Sequence, residues 1–160
     1  MMKSNVFDRA IPRGGCLAFQ TITDSFRSHW HSHSEYEIVF IQKGEGIIQY
    51  GSILFEYKEG DLLVLGPWIP HEFKEKSSNH HSVSILFSEN FLSIDLFTCD
   101  VSHNIKQLLQ DSIFGMCFSM PNHPSVNQHI NDLNHQQGIE QAVVLLFLLK
   151  QLSALPYQKI

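Results

Sequence analysis

At 160 residues, with 43% hydrophobic and 17% charged side chains, the chain suits one globular domain with a single core and excludes a disordered segment. Its formal net charge of −5, from 11 basic and 16 acidic residues without a Lys/Arg cluster, excludes a chain built to hold nucleic acid by itself. Cys16, Cys99 and Cys117 are odd in number and form no CxxC pair, which argues against a disulfide framework and for a reducing compartment. The N-terminal MMKSNVFDRAIPRG lacks the apolar core of a signal peptide, and the longest apolar run, residues 142–149, is too short to span a bilayer. A cytoplasmic protein without a membrane partner is therefore expected.

Residues 1–15 form a polar lead-in, and CLAFQTIT over residues 16–23 reads as a first strand. A histidine cluster, HWHSH, follows at residues 29–33. Next come EYEIVFIQ, GIIQY, ILFEY and DLLVL, separated by Gly44-Glu45-Gly46, Gly51-Ser52 and Glu59-Gly60 and ended by Gly66-Pro67. Short β-branched and aromatic runs at this spacing predict an antiparallel sandwich or barrel. KEKSSNHH after Phe73 reads as a polar loop; its adjacent His80 and His81 invite a metal reading, but neighbours on a strand point to opposite faces, so a solvated loop with two exposed imidazoles is expected. SVSILF, residues 82–87, is a return strand, and Phe91, Leu92, Leu96 and Phe97 belong to a turn or short helix closing one end of the barrel.

From Ser102, a suitable N-cap, the period changes to a helical one with Ile105, Leu108 and Leu109 on one face. Gly115 interrupts this helix, MCFSM returns to extended structure, and a second helix over residues 125–134 carries Val126, Ile130 and Leu133 until Gly138 ends it. The last helix, residues 139–155, is apolar around most of its circumference. It packs wholly on its own barrel or shares one face with a second copy, and the second arrangement places Val143, Leu146 and Leu149 at a dimer seam. Two regions result: a barrel over residues 1–100 and a helical tail over residues 101–160.

His31, His33 and Glu37 are separated by even offsets and can share one strand face, and the folded-back meander can bring His71 beside them. Imidazoles and a carboxylate in a small barrel suit a divalent ion, with Zn, Ni, Mn and Fe all compatible. An empty polar pocket made of the same side chains is the plainer alternative. His29, His31 and Glu35 repeat the same spacing one step earlier. Glu35 is a further acceptor for an effector, and Trp68, between Pro67 and Pro70, is a rim residue that packs or stacks on a sugar.

This pattern resembles the cupin motifs. His31-Ser32-His33, Glu37 and Gly44 match the first, while Gly60 and His71 supply the second. Ser25 and Glu75 stand where the motifs carry Gly and Asn. The wording HSHSEYEIVFIQKGEG…YKEGDLLVLGPWIPHEF is most similar to the sensor domain of AraC-type transcription regulators, and the likeness continues into SVSILFSENFL and the helical tail. The resemblance implies a mainly β, cupin-like jelly-roll (double-stranded β-helix) barrel followed by a C-terminal helical segment. It further implies a small-molecule effector such as a sugar, a homodimer, and DNA as partner of the full-length protein through helix-turn-helix units that residues 100–160 do not contain. The chain is accordingly expected to be an excised sensor domain, with a natural stand-alone relative as the other reading. A non-enzymatic sensor is the leading reading. The alternative is a metal-dependent cupin enzyme, a dioxygenase or isomerase, using His31, His33, Glu37 and His71.

Overall fold

A computed structural model describes residues 17–23 (backbone only), 29–76, 78–88, 103–120 and 123–160. The lead-in, Cys16, Cys99, the Ser102 cap and the expected turn carrying Phe91, Leu92, Leu96 and Phe97 lie outside the described residues. Seven strands come first: β1 (Leu17–Thr23), β2 (Tyr36–Lys43), β3 (Glu45–Tyr50), β4 (Ile53–Lys58), β5 (Asp61–Leu65), β6 (His71–Glu75) and β7 (His81–Phe87). The turn between β4 and β5 is closed by Asp61, whose Oδ2 accepts the Lys58 N–H at 2.9 Å, and Gly60 supplies a φ of 85° that other residues adopt at a cost. At Gly46, a Cβ would collide with the Tyr57 hydroxyl and the Lys74 carbonyl, so only glycine lets β3 pass there.

With β8 (Met116–Ser119) and β9 (Gln158–Lys159) from later in the chain, the strands form two antiparallel sheets, a larger one ordered β1-β7-β2-β5-β8-β9 and a smaller one ordered β4-β3-β6. The central strands of the larger sheet are apolar on both faces, which is why they read as continuous runs and not as alternation. In β2, Val39 and Ile41 face the small sheet with Ile48, Tyr57, Leu63, Leu65 and Phe73. Ile38 and Phe40 face the other way, joining Leu62, Val64, Val83 and Ile85 in a second core. Register fixes this partition, since Ile38 pairs with Val64 and Ile85 while Val39 pairs with Leu63 and Ser84.

Three helices cover the second core. In α1 (His103–Asp111) Leu108 and Leu109 are buried; in α2 (Pro124–His135) Val126, Ile130 and Leu133 are. In α3 (Gly138–Leu152), Leu145, Leu148, Leu149 and Leu152 form the i, i+3, i+4, i+7 stripe that a helix lays on a core. Two strands of the expected tail join the larger sheet: β8 (Met116–Ser119) pairs with β5, and β9 (Gln158–Lys159) pairs with β8. The residues after position 100 are thus both helical cover and part of the barrel wall.

Several expectations need correction. Leu149, assigned to a partner-facing seam with Val143 and Leu146, is fully buried in its own core; Leu146 is half-buried against the same core, and Val143 is exposed. The apolar circumference of α3 hid which face the core takes. Strand β6 runs on through Lys74 and Glu75, because β3 offers it partners as far as Gly46. His80 is buried, its ring edge-on to Tyr57 at 5.8 Å, so only the half-buried His81 approaches the expected exposure. Helix α2 ends at His135, and Gly138, with φ 60°, opens α3 instead of ending α2.

Candidate metal centre

The polar site lies at the end of the barrel where β2 and β6 begin and β3 and β5 finish. His31 and His71 exchange two backbone hydrogen bonds, His31 N–H to the His71 carbonyl at 3.1 Å and the reverse at 2.8 Å. This isolated bridge continues the small sheet by one residue pair and sets the two rings side by side, their centroids 4.5 Å apart. His33, two residues on, brings its ring to 5.1 Å from that of His71 and 5.7 Å from that of His31. One ligand atom from each of the three histidines lies within 4.8 Å of those of the other two.

The backbone sets the tautomers. His31 Nδ1 lies 2.7 Å from the His29 carbonyl, His33 Nδ1 3.0 Å from that of Glu35, and His71 Nδ1 2.9 Å from that of Ile69. A carbonyl can only accept, so each Nδ1 donates, and in the neutral ring the lone pair then falls on Nε2. Metal-binding histidines are commonly held in this way by a second partner on the far nitrogen. His71 Nε2 is buried and makes no hydrogen bond, although Glu37 Oε2 is 3.2 Å away. A buried, unsatisfied imidazole nitrogen is costly unless something coordinates it, so the donor set fits a divalent ion. Three histidines placed to hold a metal ion are the chemical core of the site.

Glu37 stands behind them, fully buried on the barrel-facing side of β2. Its Oε2 is 3.2 Å from both His33 Nε2 and His71 Nε2, and its Oε1 accepts the Ser84 hydroxyl at 2.5 Å. Burial works to lower the His33 pKa, but the hydrogen bond and charge of Glu37, with the carbonyl and charge of Glu35, outweigh it and raise it above the ordinary value. Glu35 is half-buried, its carboxylate 3.7 Å from His33 Nδ1. His29 contributes only its carbonyl to this geometry, which leaves the later spacing frame, His31 to Glu37, as the one that builds the cluster.

Trp68 is 69% exposed, with φ at 64° in the left-handed region, and its N–H donates to the His33 carbonyl at 2.7 Å. Two residues that sequence reasoning passed over support the site. Ser84 holds Glu37; the return strand carries both Ser82 and Ser84 on its inward side, so its pattern offered a polar contact without saying which serine makes it. Tyr50, whose ring centroid is 6.3 Å from that of His71, accepts the Gly66 N–H and donates to the Ser112 carbonyl, both at 3.1 Å. Burial pushes the Tyr50 hydroxyl up to about 12, against the opposing effect of the Gly66 contact. No spacing rule links Tyr50 to Ser112, which lies 62 positions further on.

Residues 18–87 match the model of the cupin domain, and the fold is a cupin jelly roll followed by a few C-terminal helices. No curated protein matches the sequence. Among solved structures, the chain is similar to an apo variant of ToxT from Vibrio cholerae, with a TM-score of 0.57 and 10% identity over 86% of this chain and 54% of that one. ToxT bound to a methylnaphthalenyl butenoic acid gives a TM-score of 0.52 at 10% identity, covering 82% and 54% of the two chains. An oxalate decarboxylase mutant from Bacillus subtilis is similar at a TM-score of 0.42 and 20% identity over 51% of this chain and 25% of that one. The chain therefore spans about half the length of ToxT and a quarter of the decarboxylase. No helix among the described residues is long and apolar enough to cross a membrane.

Proposed function

We infer that the chain is the effector-sensing and dimerisation domain of an AraC-type transcription regulator acting in the cytoplasm, with a divalent ion and a small molecule bound at the three-histidine end of the barrel. The observation that carries this reading is the helical layer. α3 lays one stripe on the barrel and leaves Ile139, Val143 and Phe147, successive at i+4, exposed to solvent. An apolar stripe of this kind marks an interface more often than a free surface. ToxT, an AraC-family regulator, supports the reading through a fold likeness that extends over the helices. In this role Glu37 is a fourth ligand or the group that steadies His33 and His71, and Glu35 and Trp68 face the effector. Effector binding biases the arrangement of attached DNA-binding units through its differential affinity for two states.

The interface is expected to use Ile139, Val143 and Phe147 in place of the Leu149 seam. Light scattering should give twice the monomer mass for the unmodified chain and the monomer mass for Phe147→Glu. A monomeric parent, or a variant of unchanged mass, would remove the dimerisation role. The second reading, a metal-dependent cupin enzyme such as a dioxygenase or isomerase, is favoured by the three histidines, one ligand atom of each within 4.8 Å of the other two, a set that leaves open positions on a catalytic ion.

A further inference from the structure

The two sheets leave a cleft at the end of the barrel remote from the histidines, where β3 and β5 begin. β4 is the outer strand of the smaller sheet and β9 that of the larger. Phe55 and Tyr57 of β4, Asp61 of β5, Cys117 and Ser119 of β8 and Tyr157 ahead of β9 line a space of about 580 Å³. Small-molecule sites commonly enclose roughly 300–1,000 Å³. The turn that carries Asp61 into this space is held from two sides. The Gly60 N–H donates to the Ile41 carbonyl and the Gly60 carbonyl accepts the Met120 N–H, both at 2.9 Å. Such anchoring sets the carboxylate in place before a ligand arrives.

Two charged groups in the cleft have capacity to spare. Asp61 is only 4% exposed, and its Oδ2 closes the β4–β5 turn by accepting the Lys58 N–H. No hydrogen bond or ion pair among the described residues takes its Oδ1. A carboxylate oxygen that meets no donor of the protein is a ready acceptor for one from a ligand. The Lys58 ammonium also lines the cleft and has no hydrogen bond or ion pair among the described residues. Both charges reach the Cys117 thiol on the cleft wall: burial pushes its pKa up, Asp61 adds to the rise and Lys58 opposes it. The remaining charges are Lys76 and Glu56, which pair with each other, and the exposed Glu45. Three carboxylates against two ammoniums oppose a plain anion, and the unpaired Lys58 opposes a plain cation.

We propose that this cleft binds an aromatic amino acid, whose ammonium meets Asp61, whose carboxylate meets Lys58 and whose ring lies among Phe55, Tyr57 and Tyr157. A zwitterion answers both unpaired charges at once, whereas a ligand of one charge leaves Asp61 or Lys58 without a partner. The rings on the lining favour a further ring through offset or edge-on contact. Tyr157 is fixed for this role, because its hydroxyl donates to Asp111 Oδ2 at 2.9 Å. The site lies apart from the three histidines and does not rest on their reading as a metal centre.

Calorimetric titration with L-phenylalanine, phenethylamine and hydrocinnamate tests each part, since the two analogues lack only the carboxylate or only the ammonium. L-phenylalanine should bind at least tenfold more tightly than either. Lys58→Gln, at an exposed side chain, should weaken L-phenylalanine at least tenfold and leave phenethylamine unchanged. Asp61→Asn, whose amide oxygen can still accept the Lys58 N–H, should weaken L-phenylalanine and phenethylamine at least tenfold without weakening hydrocinnamate. If Asp61→Asn does not fold, the Lys58→Gln comparison decides alone. Chelator treatment should change none of these affinities. Absence of L-phenylalanine binding overturns the proposal, as does equal affinity for the three compounds. Unchanged L-phenylalanine affinity in Lys58→Gln overturns it too. Binding that disappears with chelator also does so, because it moves the ligand to the histidine end.

Discussion

Glu37 and Ser84 meet on the inward face of two neighbouring strands, where a buried carboxyl group needs a hydrogen-bond partner. Ser84 Oγ is 2.5 Å from Glu37 Oε1, and the His33 and His71 rings approach Oε2. Hydrogen bonds to a charged group contribute about 1.5–3 kcal/mol. Ser84→Ala should lower stability by about that amount in urea unfolding, with unchanged slope and unchanged metal content. An unaltered midpoint would mean that the hydroxyl does not hold the carboxylate. The same barrel interior keeps Cys117 inert: burial, followed by the charge of Asp61, pushes its thiol up to about 12.

At the scale of elements, α3 separates packing from display along a single helix. Leu149 is fully buried with Leu145, Leu148 and Leu152, whereas Phe147 is 53% exposed and stacks on His129 at 6.2 Å. Leu149→Ala should therefore cost about 2–5 kcal/mol through lost contacts and a residual cavity. Phe147→Ala, on the displayed face, should change monomer stability by no more than about 0.5 kcal/mol. Chemical denaturation of both variants at a concentration that keeps the protein monomeric checks the pair. Equal losses would show that both faces are packed within one chain. Tyr50 does comparable work between elements, joining the end of β3 to Gly66 and to the turn after α1 through three hydrogen bonds.

For the molecule as a whole, the three histidines bridge separate parts of the fold. His31 and His33 precede β2 of the larger sheet, and His71 opens β6 of the smaller one. An ion held among them ties the sheets together in the native state only, so its binding free energy adds to folding stability. Zinc at a hundred times its dissociation constant should add about 2.7 kcal/mol, a rise of about 5–10 °C in Tm for a domain of this size. Elemental analysis should give one ion per chain, removed by chelator, and His71→Ala should show neither the ion nor the rise. A parent protein without either response would leave the cluster as a hydrogen-bonded polar patch.

What the sequence by itself determined was whatever is encoded by short-range period and spacing. The strands of the central meander, the turns at Gly51 and Gly60, and the stripes of α1 and α2 follow from side-chain alternation and helical repeat. Even offsets pointed to His31, His33 and Glu37, yet His31 and His33 lie ahead of β2 and share no strand face with Glu37; His71 was joined to them through its distance from Gly60 in the cupin resemblance. The tertiary structure alone decided which face of α3 is buried, because a helix apolar on nearly every side carries no local sign of where the core lies. It also decided that His80 is buried and that β8 and β9 complete the larger sheet, since strand pairing is settled by partners remote in sequence. The Ser84 contact to Glu37 came the same way, because it joins segments far apart along the chain that only the closing of the barrel brings to one place.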